Sequence, residues 1–407
     1  MHLFIISQYY PPETGALATR WGDYSKILVD QNHKVTVLCQ SPHYPYENYY
    51  PGYKNSFFTK QSDSPNLSII RTKAFASNRK SFIKKILHYL VFMFSSIFNL
   101  KKVKDYDILI ISSPPLFTGV IGLYAKFFLK QNYWLDIRDL WPDSALELGQ
   151  ISNGLLFKYG KILEKKIYKN SKGFIFPVPG FQKYLSTLLP EISKKPMITL
   201  MNGLSKSFLN DAVNTKAVEE KTFTVLYSGN MGLAQDLDTV IEAANLLKNY
   251  DINFLFIGHG VCKTKVEKKA ISLNIKVKFC KPVPRKDLIK YIMKSSVCLV
   301  PLKDKKLFRN ALPSKMFEYM GCKKPIIVGI NGEAESIVKS SKSGICVQPE
   351  NPEMLSKAIL TYFNNKEKRK IDGENGLSYI TKNLQKEYLI SNLMKKIEGS
   401  FDNKHLQ

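Results

Sequence analysis

Phe223-Thr224-Val225-Leu226-Tyr227-Ser228-Gly229-Asn230-Met231-Gly232 runs from an apolar strand pattern straight into two glycines. Val240, Ala243, Ala244 and Leu247 then recur at helical spacing. A buried strand, a glycine turn and a helix make the opening unit of a doubly wound α/β domain. The first half of the chain starts in the same way: Leu3–Ile6 is a strand candidate, Gln8 to Gly15 a turn, and Leu17, Trp21, Tyr24 and Leu28 one face of a helix. Further strand candidates of the first half are Lys34–Leu38, Leu67–Ile70, Ile108–Ile111, Tyr133–Asp136 and Phe174–Phe176. In the second half they are Phe254–Ile257, Lys276–Phe279, Val297–Pro301 and Pro325–Val328. Such continuous apolar runs suit strands buried on both faces of a parallel sheet. The expected fold is therefore α/β, with two Rossmann-like domains, 1–204 and 205–385. The polar stretch from Ser205 to Lys221 is the linker candidate, and a last helix, 386–407, is expected to pack back on the first domain.

A chain of 407 residues exceeds one ordinary core. With 60 Lys+Arg against 34 Asp+Glu, its net charge is +26, which favours an anionic partner: a nucleotide, an anionic membrane or a nucleic acid. The basic residues are dispersed and the aromatics cluster in apolar runs, so a nucleic-acid binder is disfavoured. The six cysteines form no close pairs and read as thiols of a reducing compartment; with the six histidines they give no metal-ligand spacing. Met1 to Ile6 lacks the basic start of a signal peptide and reads as a strand.

The segment from Phe82 to Leu100 is greasy and aromatic, with Arg79, Lys80, Lys84 and Lys85 before or within its start and Lys101, Lys102 and Lys104 after it. Its unbroken apolar part is shorter than the roughly 20 residues that span a bilayer. Lysines flanking apolar residues suit a helix in the headgroup layer. Lys84, Lys85, Phe92, Phe94, Lys101 and Lys102 are the expected contacts with an anionic membrane. A buried crossover helix is the competing reading. Val120–Lys130 could extend the same surface, although a core helix accounts for it better.

In Phe308-Arg309-Asn310-Ala311-Leu312-Pro313-Ser314-Lys315-Met316-Phe317-Glu318-Tyr319-Met320, Pro313 and Ser314 read as a helix start, with Ser able to cap it. Free N–H groups at such a start attract phosphate, Lys315 adds a charge, and Glu318 one turn on could grip a sugar diol. An ordinary capped helix with a surface Glu fits the stretch equally. Gly15, Gly229 and the run Gly258-His259-Gly260 follow strands at the edge where α/β sheets bind ligands, each loop a weak signal alone. The first turn lacks Gly-x-Gly-x-x-Gly spacing, which weakens a hydride-transfer reading. In Asp136-Ile137-Arg138-Asp139, a carboxylate at a strand end could orient an acceptor hydroxyl, or Arg138 could hold Asp139 as an ion pair. Asp236 and Asp238 look like a metal pair but sit where a helix start expects Asp, so no metal and no cofactor are assigned.

At these residues the chain resembles glycosyltransferase family 4, the retaining transferases of GT-B architecture, over nearly its whole length. The resemblance is carried by Gln8–Pro12 with Gly15, Asp136–Pro142, Asn202-Gly203, Tyr227–Gly232, Gly258-His259-Gly260 and Pro313-Ser314-Lys315 with Glu318-Tyr319. It is nearest the bacterial branch making O-antigen and capsule, including transferases similar to those for N-acetyl-L-fucosamine. The resemblance implies two domains facing across a cleft, with the donor held mainly by the second. It implies the ribose diol on Glu318, the diphosphate near Gly229, Asn230, Ser314 and Lys315, and the base near Val283. The donor sugar would lie towards Arg309, Ala311 and Leu312. Two departures stand out: Asn310 occupies the place of the family's earlier glutamate, and Asn230 and Gln235 replace its usual Arg and Lys. Lys305, Lys306, Arg309 or Lys315 is expected to supply the missing charge.

The expected activity is transfer of a sugar, with retention, from a nucleoside-diphosphate donor to a lipid-linked, undecaprenyl-type acceptor. The donor is expected to be UDP-linked, with UDP-N-acetyl-L-fucosamine or a similar sugar as one candidate. The enzyme would work on the inner face of the plasma membrane, as a peripheral protein making surface polysaccharide. Lys315 and Glu318 are the catalytic candidates on the donor side and Asp139 on the acceptor side. A nucleotide-sugar epimerase or hydrolase on the same fold is the alternative enzyme; it would need a carboxylate or His pair around the sugar.

Overall fold

The computed structural model describes residues 1–44, 46–76, 82–147, 149–215 and 222–402. The chain divides into two compact units, Met1–Met201 with Glu387–Gln407, and Asn202–Lys386. Arg79 and Lys80 lie outside the described residues, as does the end of the expected linker.

The first unit is built on eight strands: β1 (His2–Ile6), β2 (Lys34–Gln40), β3 (Thr59–Ser64), β4 (Leu67–Thr72), β5 (Ile108–Ser113), β6 (Tyr133–Ile137), β7 (Gly173–Phe176) and β8 (Met197–Thr199). Their order is β3-β4-β2-β1-β5-β6-β7-β8. All neighbours are parallel except β3 and β4, an antiparallel edge pair. Strand β3 is polar and exposed, as a tolerable sheet edge must be, so no apolar pattern announces it. The last helix, Lys386–Asp402, places Ile390, Leu393, Met394 and Ile397 in the core of this unit, beside Leu3, Val35 and Trp21.

The second unit holds β9 (Phe223–Asn230), β10 (Ile252–His259), β11 (Val277–Cys280), β12 (Val297–Pro301), β13 (Ile326–Gly329) and β14 (Gly344–Cys346), all parallel, in the order β11-β10-β9-β12-β13-β14. Strand β9 outruns its apolar stretch. Ser228, Gly229 and Asn230 stay paired with Ile257, Gly258 and His259 of β10, so the turn begins only at Met231. The expected linker starts instead with a helix, Lys206–Asn214. Ser205 caps it, accepting from the Phe208 N–H at 3.3 Å, while Phe208, Leu209 and Ala212 are buried.

The helix Phe82–Leu100 crosses from β4 to β5. Ile83–Leu100 is long and apolar enough, by length and composition, to cross a membrane. One of its faces is nonetheless fastened to the first unit through polar groups. Ser95 donates to the Lys73 carbonyl at 2.9 Å, and Asn99 donates to the Phe57 carbonyl at 2.7 Å. Phe92, expected as a membrane contact, is fully buried on that face, half a helical turn from exposed Phe94. Phe98, four residues beyond Phe94, is exposed in its place.

Candidate functional site

Strand β9 ends against the helix Ser314–Gly321, and side chains from both build the site. The Ser228 N–H donates to the Tyr319 hydroxyl at 2.8 Å, and the Ser228 hydroxyl lies 2.9 Å from the same oxygen. The Tyr227 hydroxyl donates to the Asn230 carbonyl. Both tyrosines are buried, so the strand end is held at fixed distance from the helix start. Gly229 has φ +119°, and a Cβ there would meet the Lys315 side chain at 3.4 Å. That is ordinary contact, so what calls for glycine here is the left-handed φ, and the ammonium stands beside this strand end.

Lys315 Nζ lies 3.8 Å from the centre of the Tyr227 ring and is buried without a hydrogen-bond partner among the described residues. Burial pushes its pKa down to about 7, against a smaller upward pull from Glu318. An ammonium in this position has a ring face below it and no acceptor, an arrangement that a bound anion would complete. Ser314 does not cap its helix as expected. Pro313 takes the N-cap position, and no side chain caps the first turn. The first-turn N–H groups therefore have no side-chain acceptor, as anion binding at a helix start requires.

Glu318 is half-buried one turn on, with Oε1 3.4 Å from Arg285 Nε. Arg285 opens the helix Arg285–Lys294 and lies over the Phe208 ring at 4.7 Å. Sequence reasoning did not pick out Arg285. Its signal was its place just after Val283-Pro284, at the C-terminal edge of the sheet, two residues beyond the expected base contact. Val283 is half-buried in that loop.

Asn230 and Gln235 brace the turn. Asn230 Nδ2 donates to Gln235 Oε1 at 3.4 Å, and the Gly232 N–H donates to the same oxygen at 3.0 Å. Both residues are neutral, and the cation beside the Gly229 strand end is Lys315. Lys305, Lys306 and Arg309 are exposed in the loop after β12, Arg309 being 3.7 Å from Asp304. Leu312 and Asn310 are half-buried in the same loop.

The glycines at the end of β10 have a structural role. Gly258 has φ +151°, and a Cβ on it would come within 1.9 Å of the Gly229 carbonyl; on Gly260 a Cβ would come within 2.3 Å of the Met231 carbonyl. They let two strand ends approach each other backbone to backbone. His259 between them is half-buried, and burial lowers its pKa, with Lys263 adding to the effect.

In the first unit, Asp136 is fully buried. It takes hydrogen bonds from Arg20 at 2.9 and 3.2 Å, from Trp21 at 2.9 Å and from Ser112 at 2.9 Å. Asp139, three residues on, is exposed and accepts from Ser144 at 3.0 Å. Arg138 directs its guanidinium to the carbonyls of Leu17 and Pro114, so the expected hold on Asp139 falls to Ser144. Gly15, at φ +100°, is exposed and starts the helix Ala16–Asp30. The turn before it is pinned by buried Glu13, which accepts from Gln40 at 2.7 Å and from the Tyr44 N–H at 3.0 Å. His88 of the helix Phe82–Leu100 donates from Nδ1 to the Phe75 carbonyl at 2.8 Å and accepts at Nε2 from Gln8 at 2.8 Å. Asp236 accepts from the Thr239 hydroxyl at 2.9 Å and from the Glu350 N–H at 3.2 Å, while Asp238 pairs with Lys265 at 2.7 Å.

Two α/β units with parallel-dominated sheets are the architecture expected of a GT-B fold. Residues 211–378 match the family model described as glycosyl transferases group 1. The putative colanic acid biosynthesis glycosyl transferase WcaI of Escherichia coli is 22% identical over 422 residues, covering 98% of this chain and 100% of that protein. Sucrose-phosphate synthase from Thermosynechococcus elongatus superposes with a TM-score of 0.77 at 16% identity, over 99% of both chains. Anabaena Alr3699/HepE, solved in complex with UDP-glucose, superposes at 0.67 with 10% identity, over 98% of this chain and 100% of that one. The two structural likenesses are of fold. The family match over residues 211–378 and the likeness to WcaI along the chain make this protein a transferase enzyme.

Proposed function

We propose that the chain transfers a sugar, with retention, from a nucleoside-diphosphate donor, UDP-linked by preference, to a lipid-linked acceptor of polyprenyl type in bacterial surface polysaccharide synthesis. The observation that carries the donor half is the buried, unpartnered Lys315 ammonium against Gly229, beside a helix start that no side chain caps. The departing diphosphate gains negative charge in the transition state. Preorganised N–H groups and a cation aimed at it would stabilise that charge without reorganisation. Lys315 would take up a proton as the anion arrives, Glu318 would receive the ribose diol, and Arg285 would hold Glu318 in place until then. Asp139 is proposed to orient the acceptor hydroxyl.

The UDP preference is supported by likeness to Alr3699/HepE, solved with UDP-glucose, and the polysaccharide context by likeness to WcaI. A fucosamine-type sugar is one donor to test. The acceptor half is supported by the exposed Phe94 and Phe98 and by Lys84, Lys101 and Lys102 at the ends of the helix Phe82–Leu100. These residues would bring the enzyme, as a peripheral protein, to an anionic cytoplasmic leaflet where lipid-linked acceptors lie.

The test is calorimetric titration with UDP, GDP and ADP, followed by assay of the best-matched nucleotide sugars with polyprenyl-diphosphate-linked acceptors. UDP binding and acceptor-dependent transfer are expected. Nucleotide-sugar turnover that ignores the acceptor would replace transfer with hydrolysis or epimerisation.

A further inference from the structure

We propose that the helix Leu155–Asn170 is a second membrane-docking element, extending the face that meets an anionic lipid bilayer across three adjacent helices. The inference rests on the membrane contact read above and adds a part of the chain that the sequence reading did not include. Thr118–Phe128 packs between Phe82–Leu100 on one side and Leu155–Asn170 on the other. Each of the three turns apolar side chains outward. Ile83 and Phe98 are exposed on the first, Phe127 and Phe128 on the second, and Leu155, Leu156, Tyr159 and Ile162 on the third. On the third helix the four are 64 to 71% exposed, far from the burial that residues of their kind usually reach. They are grouped, and grouping is what distinguishes an interaction surface from scattered exposure.

Charge identifies the occupant. Phe82–Leu100 and Thr118–Phe128 contain no carboxylate, and Leu155–Asn170 contains one, Glu164, which is buried and paired with Lys161. Exposed lysines adjoin the apolar residues: Lys158 and Lys166 on the third helix, Lys130 after the second, Lys101 after the first. A second copy on this face would bring lysines against lysines, with no exposed carboxylate on the three helices to answer them. A layer of lipid phosphates answers them all, and its acyl boundary accepts Leu155, Tyr159 and Ile162. The third helix is graded to suit. Its exposed apolar residues lie in the first two turns, beside Lys158, and three further exposed lysines, Lys165, Lys166 and Lys169, come in the last turns, where Lys165 and Lys169 also reach Glu191.

The experiment is flotation of the full chain with vesicles of phosphatidylcholine, with and without phosphatidylglycerol. The variants are Leu155→Ser/Tyr159→Ser/Ile162→Ser and Phe94→Ser/Phe98→Ser, with thermal melting and UDP titration to show that each is folded. Wild type is expected to float with anionic vesicles, and the triple variant to lose about tenfold or more of its partitioning while melting as wild type does. Tyr159→Trp reads the same contact without removing apolar surface, and a blue shift of its emission with anionic vesicles is expected. If the triple variant floats as wild type does and Tyr159→Trp shows no shift, the inference falls. The membrane reading survives that result if Phe94→Ser/Phe98→Ser floats poorly. A wild type that binds no vesicle overturns both readings. A dimer that the triple variant abolishes, with vesicle binding unchanged, assigns the face to a second copy and overturns the inference.

Discussion

Lys315 is where the chain accepts a local cost. An ammonium buried without an acceptor is unfavourable, and its pKa of about 7 expresses that penalty. The unfolded chain, with an ordinary lysine, binds more protons than the folded one between about pH 7 and the ordinary lysine value. The destabilisation is therefore full below about pH 7 and fades as pH rises. Lys315→Met is expected to raise Tm by roughly 3 °C or more at acidic pH, with the gain shrinking in alkaline buffer; differential scanning calorimetry across pH checks this. Above about pH 7, diphosphate binding must also bring a proton. Wild-type affinity for UDP is then expected to weaken with rising pH, while Lys315→Met binds weakly and without that slope. Titrations in buffers of different ionisation enthalpy read the proton directly. Glu318→Ala is expected to lower kcat/KM for the nucleotide sugar about 10- to 100-fold, the worth of charge-assisted hydrogen bonds to a diol, with Tm little changed. Glu318 and Lys315 were legible because a carboxylate and a cation one turn apart at a helix start carry a chemical meaning. Arg285 was not, because its partner lies 33 residues away and only the fold brings them to 3.4 Å.

Interior strands were legible because burial on both faces leaves an unbroken apolar run, as in β1, β5 and β12. Of the four edge strands, only β11 was. Strand β3 is polar throughout, and β8 and β14 are three residues each, too short to show a period. The helix Lys206–Asn214 had its signal, a Ser cap followed by Phe208, Leu209 and Ala212, but the many polar residues around it hid the pattern. The helix Phe82–Leu100 shows the limit of composition. Its aromatics look alike in sequence, yet their angle about the axis decides which meet the sheet and which meet solvent. Phe92→Ala is expected to cost about 3–5 kcal/mol of stability, as for a buried aromatic. Phe98→Ser should cost under about 0.5 kcal/mol, since its side chain is exposed. Urea unfolding of the two variants separates the faces.

For the whole molecule, the chain leaves the first unit at Met201, builds the second, and returns at Glu387. The returning helix brings Ile390, Leu393, Met394 and Ile397 into the first core. Their burial contributes roughly 6–12 kcal/mol, comparable to the whole stability of a domain. Deleting residues 387–407 is therefore expected to leave the first unit unable to hold its fold; limited proteolysis should show its fragment degraded while a UDP-protected fragment of the second unit persists. By itself, the amino-acid sequence determined the α/β class, the alternation of buried strands with amphipathic helices, the positive charge and the residue types at the donor-side helix start. These are local or summed properties, written in periodicity and composition. Tertiary structure alone decided that Gly258 and Gly260 make room for neighbouring backbone, that Lys315 is the cation beside Gly229, that Arg285 pairs with Glu318, and that Phe92 faces inward while Leu155 and Ile162 face outward. Those outcomes depend on which distant segments come into contact, and no periodicity along the chain encodes the angle or distance at which they meet.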